Sequence, residues 1–368
     1  MIRVLLVDDS PIALHILQRL LSFAPDIQVA GTAANGREAL DLLQALNPDV
    51  ICTDLHMPVM DGLEFTRAVM AGQPRPILVI SVSVEPGSPN VFRLLESGAV
   101  DVYPKPCAIL DADMEAKAAE LASKIRILAG VHVFRHAGAV KSAPPPSLPR
   151  PPVAVRIVVI GASTGGPQAL REILSHLPAG FPAPVVCVQH IGASFLSGLL
   201  AWLAEASPLP VKKAAHGEAP QAGVVYFAPN GDHLEFDDGG RFALTQAPPH
   251  DGHRPSVTVT LRAAARCFGA GAVGVLLTGM GRDGAEGMAD IAAAGGVTLA
   301  QDEASSVVYG MPKAAVELGA SRHVLPLEQI APALAALANS RNGAGAGITP
   351  ENRHAEVDFG ASQGKELL

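Results

Sequence analysis

The stretch VVIGASTGGP, residues 158–167, sets a β-branched apolar run against a glycine-rich turn that ends in proline. Such a run fits a buried parallel strand, glycines admit a tight turn, and proline is at home in the first turn of a helix. The stretch therefore reads as strand, turn and helix, the unit of a parallel α/β sheet. Downstream, PVVCVQ (184–189), VVYFA (224–228) and AVGVLLT (272–278) repeat the strand signal, and HLEFDDGGRFAL (233–244) reads as an antiparallel hairpin about a DDGG turn. Upstream, IRVLLV, DVICT, PILVIS and VDVY alternate with the helix-length stretches PIALHILQRLLSF, GLEFTRAVM, SPNVFRLLESG and EAKAAELASKIRIL. The expected fold class is α/β, with two doubly wound domains: an N-terminal flavodoxin-like (βα)5 unit, and a C-terminal, mainly parallel sheet with an antiparallel hairpin.

The chain of 368 residues divides accordingly. Residues 1–130 and 153–338 form the two expected domains, joined by a proline-rich linker at 131–152 that contains SAPPPSLPRPP. Residues 339–368 lack an apolar period and read as a tail. The four cysteines stand singly, with no metal-ligand spacing. A net charge of −8 argues against nucleic-acid binding. The absence of a long uncharged apolar stretch and of a secretory leader pattern gives a cytoplasmic expectation, without membrane insertion.

In doubly wound sheets ligands bind at the carboxyl ends of the strands. In the first domain those ends carry Asp8 and Asp9, Asp54, Ser81 and Lys105. Clustered carboxylates repel unless a hard divalent cation such as Mg²⁺ neutralises them. One of them can then attack a phosphoryl group whose charge Lys105 and Ser81 help to hold. Taken singly, each of these residues also fits a helix cap.

In the second domain, GASTGG lacks the lysine of a phosphate loop and the second glycine of a dinucleotide turn, but it satisfies GxSxG with Ser163 as a candidate nucleophile. A base and its orienting carboxylate are then needed at other strand ends. His190 after PVVCVQ and Asp283 in GMGRDG have that position. His176, His216, His233, His250 and His253, and Asp232, Asp251 and Asp290, are rivals. The Thr164 N–H and the glycine turn around Met280 are candidate oxyanion donors. HRPSVTV (253–259) offers His253 and Arg254, and reads equally as a helix start.

VDDS, TDLHMPVMDG, IS at 80–81 and KP at 105–106 resemble a chemotaxis-type response-regulator receiver domain. IGASTGGP, VQHI, APNGDHL, HRPSVTV, LTGMGRDGAEGM and AQDEASSVVYGMP resemble, in order, the catalytic domain of the CheB family of protein-glutamate methylesterases. For the receiver, the resemblance implies phosphorylation of Asp54 by a chemotaxis-type histidine kinase, Mg²⁺ on Asp8, Asp9 and Asp54, and phosphate sensing by Ser81 and Lys105. Many receivers carry an aromatic switch residue three places before the lysine; this chain has Val102 there, with Tyr103 beside it. For the second domain, the resemblance implies that Ser163, His190 and Asp283 hydrolyse glutamate methyl esters on chemoreceptor cytoplasmic helices and deamidate glutamines there. Phosphorylation would govern access to that site. The residues by themselves leave open a docking module or a hydrolase of another ester or amide.

Overall fold

A computed structural model describes residues 1–82, 91–106, 111–131 and 153–339. The expected linker and tail therefore lie outside the described residues, Val131 and Asn339 apart.

The first domain alternates strand and helix five times. Its strands are β1 (Ile2–Val7), β2 (Ile27–Ala33), β3 (Val50–Thr53), β4 (Ile77–Ser81) and β5 (Asp101–Pro104). Its helices are α1 (Pro11–Leu21), α2 (Gly36–Leu46), α3 (Gly62–Gly72), α4 (Phe92–Glu96) and α5 (Asp111–Ala129). All strands are parallel, in the order β2-β1-β3-β4-β5. Ser10, Asn35 and Asp61 cap α1, α2 and α3 by accepting from N–H groups of the first turn.

The second domain contains β6 (Ile157–Ala162), α6 (Gly166–His176), β7 (Val185–Gln189), α7 (Leu196–Ala204), β8 (Val211–Lys213) and β9 (Val225–Phe227). There follow β10 (His233–Phe236), β11 (Phe242–Thr245), α8 (Val257–Phe268), β12 (Ala272–Leu276) and α9 (Ala285–Ala293). The domain closes with β13 (Val297–Gln301), α10 (Met311–Glu317), β14 (His323–Leu325) and α11 (Leu327–Asn339). Seven strands make one parallel sheet, β14-β13-β12-β6-β7-β9-β8. The hairpin forms as expected, but it stands apart as a two-stranded sheet, β10-β11.

Strands β6, β7 and β12 are buried along their whole length, as expected when helices cover both faces. Chain order reverses at β6, with β7 on one side and β12 on the other, so the crevice of the switch point opens at their carboxyl ends. The two domains share an apolar cluster in which Phe92, Leu94 and Val102 join Leu170, Leu199 and Trp202. Cys52 and Cys187 are buried, and burial pushes the Cys52 thiol up to about 12.

Candidate active site

The loop after β6 is tied to both neighbouring strands. Ser163 N–H donates to Thr278 O at 3.0 Å, Leu277 N–H to Gly161 O at 2.9 Å, and His190 N–H to Ala162 O at 3.0 Å. Gly165 adopts φ +75°, the left-handed region that favours glycine, and a Cβ there would fall 2.6 Å from Val307. A Cβ on Gly279 would lie 2.7 Å from Ser163 Cβ, so a bare backbone passes directly beside the candidate nucleophile. The glycines of GASTGG and TGMG thus bring two strand-end loops into contact.

His190 and Asp283 meet here although they are far apart in sequence. Nε2 of His190 lies 2.9 Å from Asp283 Oδ2. Asp283 is almost fully buried and accepts three further bonds, from Ser256 Oγ at 2.8 Å, Val257 N at 2.8 Å and Thr258 N at 3.0 Å. Burial alone would raise its pKa. The His190 bond and charge, with the Thr258 and Ser256 bonds, outweigh it and hold the carboxyl well below the usual range. Asp283 is therefore ionised and Nε2–H donates to it, which makes Nδ1 the basic nitrogen of His190. Nδ1 is buried and has no hydrogen-bond partner among the described residues. Its bond to the Ser163 hydroxyl is not formed in this state; such bonds commonly tighten only on substrate binding.

The structure brings Ser163, His190, Thr164 and Met280 to one cleft of about 650 Å³. Neither the Thr164 nor the Met280 N–H has a hydrogen-bond acceptor among the described residues. The rival His233 is occupied with the Ser256 N–H and the Pro248 carbonyl, and His176 with Glu172. Asp290 pairs with Arg262 on the surface. His253 is the exception among the rivals, since its ring stacks on His190.

HRPSVTV is a helix start, one of its two expected readings, with Ser256 capping α8. Two positioning features go beyond the sequence reading, the first being that this same N-terminus cradles Asp283. Gln189 is buried at the end of β7, where its side-chain amide donates to the carbonyls of both Ser163 and His190, each at 2.9 Å. The signal was present in VQHI, as an uncharged polar residue closing an otherwise apolar strand.

The receiver's residues form a second cluster. Ligand oxygens of Asp8, Asp9 and Asp54 all lie within 4.8 Å of one another. Lys105 Nζ sits 2.7 Å from Asp54 Oδ2, and the other oxygen of Asp54 accepts from Leu55 N at 2.7 Å. Lys105 bonds Asp8 through Oδ1 at 3.0 Å; it is also 2.7 Å from Oδ2, but at an angle that makes no hydrogen bond. That buried oxygen is thus paired with a charge but has no hydrogen bond among the described residues. Burial raises the Asp8 pKa and Asp54 adds to the rise, against the Lys105 and Ser10 bonds. An oxygen-only donor set of three clustered carboxylates, one with a buried oxygen that lacks a hydrogen bond, fits a hard divalent cation. Ser81 is buried at the end of β4, and its carbonyl accepts from Lys105 N. Strand alternation turns Val102 toward the α4 side and Tyr103 toward α5, where its hydroxyl reaches Lys117 O at 3.4 Å. Tyr103 therefore does not take the place of an aromatic residue at 102.

The α4–β5–α5 face of the receiver borders the cleft. Asp101 pairs with Lys124 and accepts from the Thr164 hydroxyl at 3.2 Å. Phe92 stacks on Trp202 at 5.5 Å, and Trp202 Nε1 donates to Glu96, which also pairs with Arg171. The half-exposed ion pair contributes about 0–1 kcal/mol, so the apolar and aromatic contacts dominate this interface.

The family model described as CheB methylesterase matches residues 158–334, and that described as response regulator receiver domain matches residues 4–114. A protein-glutamate methylesterase/protein-glutamine glutaminase 2 of Anaeromyxobacter dehalogenans is 47% identical over 333 residues, 90% of this chain and 96% of its own. A relative named protein-glutamate methylesterase/protein-glutamine glutaminase, from Nitrosospira multiformis, is 43% identical over 348 residues, 93% of this chain and 98% of its own. Among solved structures, the CheB methylesterase catalytic domain of Thermotoga maritima is 41% identical and covers 50% of this chain and 100% of that one, with a TM-score of 0.49. In the described residues no helix is long and apolar enough to cross a membrane.

Proposed function

The chain belongs to the CheB methylesterase family with a receiver domain, and from that premise we propose that it hydrolyses glutamate methyl esters on chemoreceptor cytoplasmic helices under control of phosphorylation at Asp54. The observation that carries the reading is the 2.9 Å bond between Asp283 and Nε2 of His190, which leaves Nδ1 as the base in the cleft that Ser163 also lines.

In this reading Ser163 Oγ attacks the ester carbonyl and gives its proton to Nδ1. The Thr164 and Met280 N–H groups receive the negative charge that develops on the carbonyl oxygen. Collapse of the tetrahedral intermediate expels methanol, which takes the proton back from His190. Water, activated by the same nitrogen, then cleaves the acyl-enzyme and leaves a glutamate carboxylate. A glutamine side chain follows the same course with ammonia as the leaving group. Asp283 holds the imidazole tautomer and remains ionised throughout.

In the receiver, Asp8, Asp9 and Asp54 would hold Mg²⁺, whose charge offsets that of the incoming and bound phosphoryl group. Asp54 takes the phosphoryl group from a chemotaxis-type histidine kinase, and Ser81 and Lys105 then bond its oxygens. Ser81 ends β4, the strand before α4, and Lys105 follows β5, the strand before α5. Their movement loosens the packing around Phe92 and Trp202 and withdraws Asp101 from Thr164, opening the cleft in the cytoplasm.

The test is methanol release from methylated chemoreceptor membranes, with and without a small phosphodonor and Mg²⁺. Release that rises with the phosphodonor in the wild type, and fails to rise in Asp54→Asn, supports the reading. Absence of release under both conditions refutes the esterase.

A further inference from the structure

His253 is half-buried at the cleft and has no part in the mechanism above. Its ring lies parallel to that of His190, with centroids 3.8 Å apart and planes 9° from one another. Its backbone is fixed independently of that contact: its N–H donates to His250 O at 2.9 Å, and its carbonyl accepts from His250 N at 3.1 Å. Asp283 holds one edge of the His190 imidazole, but a single bond at Nε2 lets the ring rock about it. A flat ring against the face of His190 removes that freedom. Misplacing a reacting atom by about 1 Å can cost on the order of a hundredfold in rate, so a restraint on the plane of the base bears directly on turnover.

We propose that His253 is a positioning residue: stacked on His190, it fixes the plane of the base so that Nδ1 meets the Ser163 hydroxyl. The proposal rests on the reading of Ser163, His190 and Asp283 as nucleophile, base and orienting carboxylate. The charge state suits the role. Burial, then the charge of His190, lower the His253 pKa, against the opposing pull of Asp283 and Asp251. A neutral ring places no like charge against a base that becomes imidazolium, and its π face tolerates that cation. Arg254, the next residue along, turns away and donates to Gln246 O and Ala247 O.

The test compares full-length wild type with His253→Ala, His253→Phe, His253→Leu and Ser163→Ala, reading kcat and KM for methanol release. Loss of the ring in His253→Ala lowers kcat about tenfold or more and leaves KM within about twofold. His253→Phe restores most of kcat because it is flat, and His253→Leu does not. A Leu variant as active as Phe, or an effect confined to KM, overturns the proposal. An activity-independent readout uses the Ser163→Ala background: the His190 ring proton resonance keeps its ring-current shift with Phe at 253 and loses it with Leu. An unchanged resonance with Leu overturns the proposal as well. A Ser163→Ala protein that still turns over removes the underlying triad reading, an outcome separate from failure of the His253 variants.

Discussion

Both domains set their chemistry at the carboxyl ends of parallel strands, yet they settle buried charge in opposite ways. In the receiver, Asp8, Asp9 and Asp54 crowd together, with Lys105 paired to Asp8 and Asp54, and burial drives the pKa of Asp8 up. In the second domain the buried Asp283 accepts from four donors and its pKa is driven down. The first cluster is short of positive charge and becomes favourable when a cation and a phosphoryl group arrive. The second has its carboxylate fully satisfied, and its unsatisfied group is Nδ1 of the base. A site that waits for a ligand and a site preorganised by its own residues can share one architecture, because helices cover the sheets while the strand-end loops carry the chemistry.

The comparison breaks most sharply at Ser163. Ser163→Ala lowers methanol release by about 10³-fold or more, since base and nucleophile act as a unit, and it leaves acid-labile phosphorylation of Asp54 intact. Release at near wild-type rate means that another residue is the nucleophile.

Asp283→Asn follows, with kcat down on the order of 10³-fold from loss of the tautomer that Nε2–H donation imposes. It also tests the charge argument. The folded-state pKa of Asp283 lies below its unfolded value of about 3.9, so the carboxylate's stabilisation is complete above that value and is lost as pH falls below it. The melting difference between wild type and Asp283→Asn should shrink as pH falls below about 4. A difference that instead grows below that pH contradicts the assignment of charge.

Asp101→Asn acts where the two sites communicate. It weakens the contact with Lys124 and Thr164, and a loss of about 1 kcal/mol in the closed interface raises basal methanol release roughly fivefold without phosphodonor. Basal release that stays at the wild-type level removes Asp101 from the control of access.

The smallest effect is at Asp8. Its folded pKa exceeds its unfolded one, so the charged form costs stability once pH rises through the folded value, and that cost is present at neutral pH. Asp8→Asn should raise the receiver's melting temperature by a few degrees in chelator and abolish the stabilisation by Mg²⁺. A variant that melts lower than wild type in chelator contradicts the reading of a cation-starved cluster.

The parallel organisation was legible because buried strands such as VVCVQ and AVGVL have few polar residues and their helices carry recognisable starts. Less legible were β2, β8, β13 and β14. Of these, β2, β8 and β14 lie at sheet edges, where exposure leaves no continuous apolar run. Asp8, Asp54 and Ser163 announced themselves by their position at strand ends. His190 and Asp283 were chosen from several rivals on that same ground, and the structure places His190 at the cleft with Asp283 bonded to it, while engaging His233, His176 and Asp290 elsewhere. Gln189, Ser256 and His253 were harder to read, since each works through contacts with residues far along the chain.

The sequence by itself determined the strand–turn–helix units, the carboxyl-end positions of the reactive side chains, and the family to which the chain belongs. These follow from local periodicity, turn chemistry and ordered motifs, which need no knowledge of long-range packing. Only the tertiary structure decided which nitrogen of His190 faces Asp283, that the start of α8 cradles Asp283, that His253 covers the face of His190, and that Asp101 reaches Thr164 from the other domain. Those are facts of distance and orientation between segments up to a hundred residues apart, and they are set by how the sheets twist, stack and meet.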